Sequence, residues 1–417
     1  MAKSQLMKSS LKVTAAALLA VLMVLPVMPA QAFYSNQYDN ASLELRGLLS
    51  GSGIILKNPD NILFYNSKNV SGAAVGGRLM LDAKVPGGLS FEAHAVADYA
   101  PLSLRTGGSR FARLVDVERS DLLDQSFDRG RSHLLIDRLN VQYASPRLSV
   151  KVGRQPINLA ATFFFTPNDF FAPFAASTFF RSYKPGVDAA RADIQLADLS
   201  QLSLIAVLGY HSSAVSDNGW SNRPDASRNG YVARASGVFG DFDLALLAGS
   251  VKKESVIGGD FQGELFDWLG VRGEGHVKWP DSPLLTRTME LALGLEHRWE
   301  NSFSMRVEQF YHGRGAISAA AYNLISPASG LYMARHYSAA GASYEFTPLL
   351  TGDATAIYNW VDQSALMALY ALYSLTDESE LALSGTLTMG DKPAGSVIQS
   401  EFGLYGHSIS VEYRAYF

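Results

Sequence analysis

The feature that most restricts the fold is a period of two, carried through segments of roughly 10 to 14 residues along most of the chain. The last strand shows it plainly. Ile409, Val411, Tyr413, Ala415 and Phe417 fall on one side, and Ser410, Glu412, Arg414 and Tyr416 on the other, because successive side chains of a strand point to opposite faces. Earlier, Val75, Gly77, Leu79, Leu81, Ala83 and Val85 alternate with Gly76, Arg78, Met80, Asp82 and Lys84. Gly87-Gly88 turns the chain into Leu89, Phe91, Ala93, Ala95, Ala97 and Tyr99, which alternate with Ser90, Glu92, His94 and Asp98. Leu135, Asp137, Leu139, Val141 and Tyr143 repeat the pattern against Arg138, Asn140 and Gln142, as do the segments 269–279, 289–296 and 303–308. In a soluble sandwich the apolar side is core. In a membrane barrel it faces lipid and the charges line a wet interior.

Connections favour the barrel. Short ones lie near Gly87, Pro146, Asp198-Leu199, Gly240-Asp241, Asn301, Pro348 and Glu378. Long ones are expected over 57–73, 104–131, 161–186, 213–228, 254–266, 313–331 and 391–403. Short periplasmic turns and long outer loops are the usual asymmetry of outer-membrane barrels. Tyr99, Tyr143, Tyr210, Trp279, Trp299, Tyr358 and Trp360 stand near strand ends, where aromatic girdles belong. The alternation yields 17 strands, one too few or too many for an even number, and 254–302 is where the short–long rhythm fails. The expected count is 16 to 18.

The N-terminus points to export. Lys3, Lys8 and Lys12 precede an uncharged apolar run from Val13 to Val27, and Ala30-Gln31-Ala32 gives a small-residue cleavage site before Phe33. That is the layout of a secretory signal peptide over 1–32, too short in its apolar core for a spanning helix. Domain organisation is then 1–32 signal peptide and 33–417 barrel. Beyond residue 32 the longest apolar stretch, 160–180, is broken by Thr166, Pro167, Asn168, Asp169 and Pro173. A mature chain in a membrane must therefore be a closed barrel, since lipid cannot satisfy an open backbone.

Composition excludes several classes. Cys is absent, which removes disulfides, thiolate zinc sites, covalent c-type haem and N-terminal lipidation. Cleavage removes three Lys and no acid, taking the formal charge from −4 to −7, a poor balance for nucleic-acid binding. The eight His show no H-E-x-x-H spacing and no G-x-S-x-G elbow occurs, so neither an enzyme nor a metal or cofactor is expected. Strands start near residue 41, leaving no room for the plug domain of a TonB-dependent receptor.

The most distinctive stretch runs from Leu148 to Asp188. It reads Val150-Lys151-Val152-Gly153-Arg154-Gln155-Pro156-Ile157, then Thr166-Pro167-Asn168-Asp169-Phe170-Phe171-Ala172-Pro173-Phe174, then Tyr183-Lys184-Pro185-Gly186-Val187-Asp188. This resembles a broad group of Gram-negative outer-membrane porin-like barrels that includes alginate-export-type proteins. In that group a strand ending G-R-Q-P enters a long loop carrying P-x-D-x-F and returns through Y-K-x-G-V-D. The motifs cover about a fifth of the chain. The resemblance implies an all-β transmembrane barrel in the outer membrane and a passive pore for small hydrophilic solutes, anionic or saccharide-like.

Eight Phe lie between Phe163 and Phe180, more than a freely solvated loop carries. Either the loop folds inward and narrows the pore, with Asp169, Phe170, Phe171, Phe174 and Lys184 at the constriction, or it packs on the rim. Pore-lining candidates are Arg78, Glu92, Arg138, Lys151, Arg191, Asp193, Arg272, Glu274, Lys278, Arg306 and Glu308, charges of both signs that set selectivity or simply pair across a hydrated lumen. Arg154 shares parity with Val150 and Val152, which directs it at lipid unless a bulge intervenes or it lies above the membrane. Loop 104–131, with six Arg and five acids, reads as a solvated or lipopolysaccharide-facing segment. Expected partners are outer-membrane lipid, lipopolysaccharide, a small solute, and the barrel-assembly machinery through the strand ending at Phe417. Two other functions fit the pattern: a sheath barrel enclosing a periplasmic or extracellular multihaem cytochrome, and an outer-membrane hydrolase.

Overall fold

The computed structural model describes residues 34–38, 41–102, 124–127, 132–210, 223–281, 286–322 and 332–417. The expected signal peptide (1–32) and most of loop 104–131 lie outside the described residues. The strands are β1 (Tyr34–Tyr38), β2 (Ala41–Lys57), β3 (Asn69–Val85), β4 (Leu89–Leu102), β5 (Asp124–Phe127), β6 (Ser132–Ala144), β7 (Leu148–Gln155), β8 (Val187–Ala197), β9 (Ser200–Val207) and β10 (Gly230–Phe239). They continue as β11 (Phe242–Val251), β12 (Glu254–Leu265), β13 (Leu269–Pro280), β14 (Thr288–Arg298), β15 (Ser304–His312), β16 (His336–Thr347), β17 (Leu350–Asn359), β18 (Ala365–Thr376), β19 (Ser379–Met389) and β20 (His407–Tyr416).

Eighteen of these strands pair antiparallel, each with its neighbour in the chain, and β20 returns to pair with β2. The barrel is closed. The two short strands are accessories: β1 folds back on the start of β2, and β5 pairs with the start of β6. At the seam Phe417 and Gly47 exchange backbone hydrogen bonds of 3.0 and 2.6 Å.

The alternation predicts which face meets lipid. Leu246 is 74% exposed, Ile257 59% and Ile409 64%, while Arg414 on the opposite parity is 1% exposed. Both ends of the barrel sequence lie at the end that carries the short turns. The opposite end carries connections 58–68, 103–131, 156–186, 208–229, 281–287, 313–335 and 390–406, with two short ones at 252–253 and 360–364.

Three expectations are corrected. The long loop expected over 254–266 is a strand, β12, reached through a two-residue turn at Lys252-Lys253. Both lysines have positive φ, 53° and 68°, the geometry of a type I′ hairpin turn. This strand turns a count of 17 into 18. Asp137, expected beside Leu135 and Leu139 on the apolar face, is instead buried inside, because the β4–β6 register skips it between His94 and Ala95. The extra residue of such a bulge re-aims its side chain. Tyr210 is no girdle residue: it is buried and its hydroxyl donates to Asp188 at 3.0 Å. Tyr99, Tyr143, Trp279, Trp299 and Trp360 do present exposed rings.

Candidate pore constriction

The loop 156–186 enters the barrel. Its two roots are clamped by residues whose direction the strand alternation alone misplaces. Gly153 adopts φ +121°, and a Cβ there would meet the Leu139 carbonyl oxygen at 2.2 Å. With that glycine, Arg154 turns inward rather than toward lipid. It is 3% exposed and donates to Asp188 at 2.8 Å and to the Ile136 carbonyl at 2.8 Å. On the returning side, Asp137 accepts the Gly186 N–H at 3.1 Å and pairs with Arg78 at 2.8 Å. Arg138 donates to the Lys184 carbonyl at 2.6 Å.

Two wall carboxylates hold the loop across the lumen. Glu274 of β13 accepts the backbone N–H groups of Ala161, Thr162 (3.0 Å) and Asn168 (2.9 Å). Glu308 of β15 accepts those of Phe163, Phe164 (2.8 Å) and Phe165 (3.1 Å). A segment without regular structure can lie in a barrel only if its amides find partners, and six of them find these two side chains. Asn168 completes the attachment: its amide donates to the Gly259 carbonyl at 2.9 Å, which leaves its oxygen to accept from His276 at 3.1 Å.

The eight Phe divide by role. Phe170 and Phe171 are buried among Ile157, Leu159, Val187, Ile205, Val207 and Val232 against the wall. Phe164 and Phe165 are buried in a second cluster with Phe310, Tyr337, Ile357 and Phe402. The other four are half-buried. Two guanidinium groups lie over the Phe163 ring, Arg272 at 3.6 Å and Arg306 at 4.3 Å from its centroid. Phe180 lies under Arg414 at 3.8 Å, Phe174 is 6.0 Å from Arg181, and Phe179 stacks on Tyr370. Phe170 and Phe171 therefore serve as anchors, not as the aromatic face expected toward a solute. Asp169 and Lys184, also constriction candidates, form an ion pair buried within the loop.

The remaining candidates sit on the inner wall. Glu92 accepts from Asn140 at 2.8 Å and lies 3.8 Å from both Arg138 and Lys151. Arg191 pairs with Asp193 at 2.9 Å, Arg272 and Arg306 both approach Glu296, and Lys278 lies 5.0 Å from the Phe170 ring. Asp82, Glu92 and His94 bring three ligand-type atoms within 4.8 Å. Arg46 already binds Asp82 at 2.6 Å, so the group reads as part of a charge network. Below the neck of the loop, a polar cavity of about 360 Å³ is lined by Ala160, Ala161, Gln195, Gln201, Arg234 and Asp260 among others.

Sequence reasoning missed the place of Phe163 under two arginines, and the part taken by loop 390–406, whose Phe402 joins the same aromatic cluster as Phe164 and Phe165. Its apolar Ile398, Phe402 and Leu404 were a readable sign of inward packing.

No family model matches the sequence, and no curated protein matches it. Solved structures do. A BenF-like porin from Pseudomonas fluorescens Pf-5 aligns with a TM-score of 0.58 at 12% identity, over 92% of this chain and all of that one. OccAB1 of Acinetobacter baumannii gives 0.57 at 10% identity, over 94% and 99%. OpdK of Pseudomonas aeruginosa, solved with vanillate, gives 0.53 at 11% identity, over 89% and 98%. The likeness is one of fold.

Proposed function

We propose that this chain is an exported outer-membrane porin, a passive channel that lets small hydrophilic solutes diffuse down a gradient without cofactor or covalent chemistry. The observation that carries the reading is loop 156–186 pinned across the interior of a closed 18-strand barrel by Glu274 and Glu308. A loop so placed narrows a lumen; it does not cap it. The likeness to a porin structure over the whole barrel supports the same reading. Arg78, Glu92, Arg138, Lys151, Arg191, Asp193, Arg272, Lys278 and Arg306 would line the path, with Phe163 at its narrowest part. Residues 1–32 would direct export, and the strand ending at Phe417 would be the element the assembly machinery recognises. The sheath reading draws less support, because the inserted loop occupies the space an enclosed cytochrome would need.

The purified protein in a planar bilayer tests this. Discrete conductance steps support a porin; an intact seal at saturating protein rules it out.

A further inference from the structure

We propose that Glu401 and Asp362 form a proton-controlled latch that seats loop 390–406 in the outer mouth and releases it as pH rises. The two carboxylates lie under the outer loops, beyond the spanning strands. Glu401 is 1% exposed, and Asn359 and Tyr337 beside it are fully covered. The amide of Asn359 is oriented by the Val361 N–H, which donates to its oxygen at 2.9 Å. Its nitrogen therefore faces the acids, donating to Glu401 Oε2 at 2.9 Å and to Asp362 Oδ2 at 3.0 Å. One NH₂ group thus serves two carboxylates, which stand no farther apart than the sum of those distances.

The groups around the pair are neutral. Glu401 also accepts from the Tyr337 hydroxyl of β16 and from the Met333 N–H at 3.2 Å. Asp362 accepts from the Tyr322 hydroxyl at 2.7 Å and from the Glu401 N–H at 2.7 Å. Tyr332 and Tyr405 face Glu401, and Tyr65 of loop 58–68 faces Tyr405. Arg181 of the constriction loop faces Tyr332, yet its N–H groups go to the carbonyls of Phe163, Ala175, Ala176 and Thr178. Among the described residues no ion pair includes Glu401 or Asp362.

A buried carboxylate that shares one amide with a second carboxylate, with no cation beside it, does not ionise cheaply. Burial pushes the Glu401 carboxyl up to about 7. A group raised in this way favours the seated loop fully below its ordinary range, and that support is lost as pH rises from there to the raised value. The pair is also mechanically placed to matter. The Glu401 N–H bonds Asp362, the Phe402 N–H bonds Ser364, and the Phe402 ring packs on Tyr337. A second charge would therefore strain the attachment of Phe402 and Leu404, both buried in the mouth.

The consequence for conduction rests on the channel reading, but the latch itself is read by amide exchange of residues 396–405 in the full-length barrel. With intrinsic exchange corrected for, the opening constant is expected to climb by up to about tenfold per pH unit from the ordinary carboxylate range to about pH 7 and to level off above it. In Glu401→Gln it stays flat, and in Asp362→Asn, which removes the second charge but leaves Glu401 buried, the climb ends at a lower pH. Conductance of the wild type rises over the same interval. A wild-type loop equally protected at pH 5 and pH 8 overturns the latch, as does a climb that persists in Glu401→Gln or one that Asp362→Asn leaves unchanged. A silent bilayer with an intact exchange step would instead overturn the channel reading.

Discussion

Glu308 and Phe164, 144 positions apart in sequence, are joined by a 2.8 Å hydrogen bond from a backbone N–H to a wall carboxylate. The same side chain serves Phe163 and Phe165. Replacing it by Gln removes the charge and supplies a donor where three donors already converge. The expected cost to loop seating is about 1.5–3 kcal/mol, the range for hydrogen bonds to a charged group. Glu308→Gln and Glu274→Gln should each raise open-channel noise and mean conductance in single-channel recordings. Traces identical to wild type in both would remove the two-clamp account.

Phe163 should govern the narrowest part of the path. Arg272 and Arg306 both lie over its ring. Phe163→Ala takes away the ring without touching the clamps, so conductance should increase. The two guanidinium groups, uncovered but still beside Glu296, should also move the reversal potential under a salt gradient toward anion permeation. An unchanged reversal potential would show that the two arginines lie off the ion path.

Phe171 has a different role. It is 1% exposed, and a Cβ on Gly230 would lie 2.8 Å from its ring. Phe171→Ala should cost about 3–5 kcal/mol by cavity formation. Gly230→Ala should crowd the same ring. Both are expected to lower the temperature at which the barrel loses its compact gel mobility, whereas Phe163→Ala should leave it near wild type.

Gly153→Ala is expected to disturb the loop root more than its size suggests. A residue with a side chain at φ +121° is strained by about 1–3 kcal/mol, and the new methyl meets the Leu139 carbonyl. Arg154 should then lose Asp188. The measurement is the same mobility transition, with Asp188→Asn as the comparison: similar losses place the effect at the ion pair.

Phe417→Ala should slow assembly. The ring covers Gly47, where a Cβ would stand 2.1 Å from its Cζ. The seam's backbone bonds survive the change, so the assembled barrel should keep its melting behaviour while the folded fraction falls in a timed assembly reaction.

The sequence by itself determined the barrel. Alternation through Val75–Val85, Leu89–Tyr99 and Ile409–Phe417 is a local property: each residue's face follows from its neighbour's, so a closed sheet with one apolar side is readable without knowing any contact. It failed where a single residue resets the phase. Nothing in Lys252-Lys253 announces a type I′ turn, since neither Gly nor Asn marks it, so the local pattern does not reveal β12. Asp137 and Arg154 were misdirected for the same reason, one by a bulge and the other by the backbone of Gly153.

Only the tertiary structure decided the site. The Phe-rich loop was visible as an anomaly, but its partners, Glu274 and Glu308, lie more than a hundred residues away and look like ordinary lumen charges. Which Phe anchor and which face the passage depends on the curvature that brings β8–β12 to one side of the loop and β15–β18 to the other. The pairing of Glu401 with Asp362 is set by the same closure. Those choices are made by long-range geometry, and no local pattern encodes them.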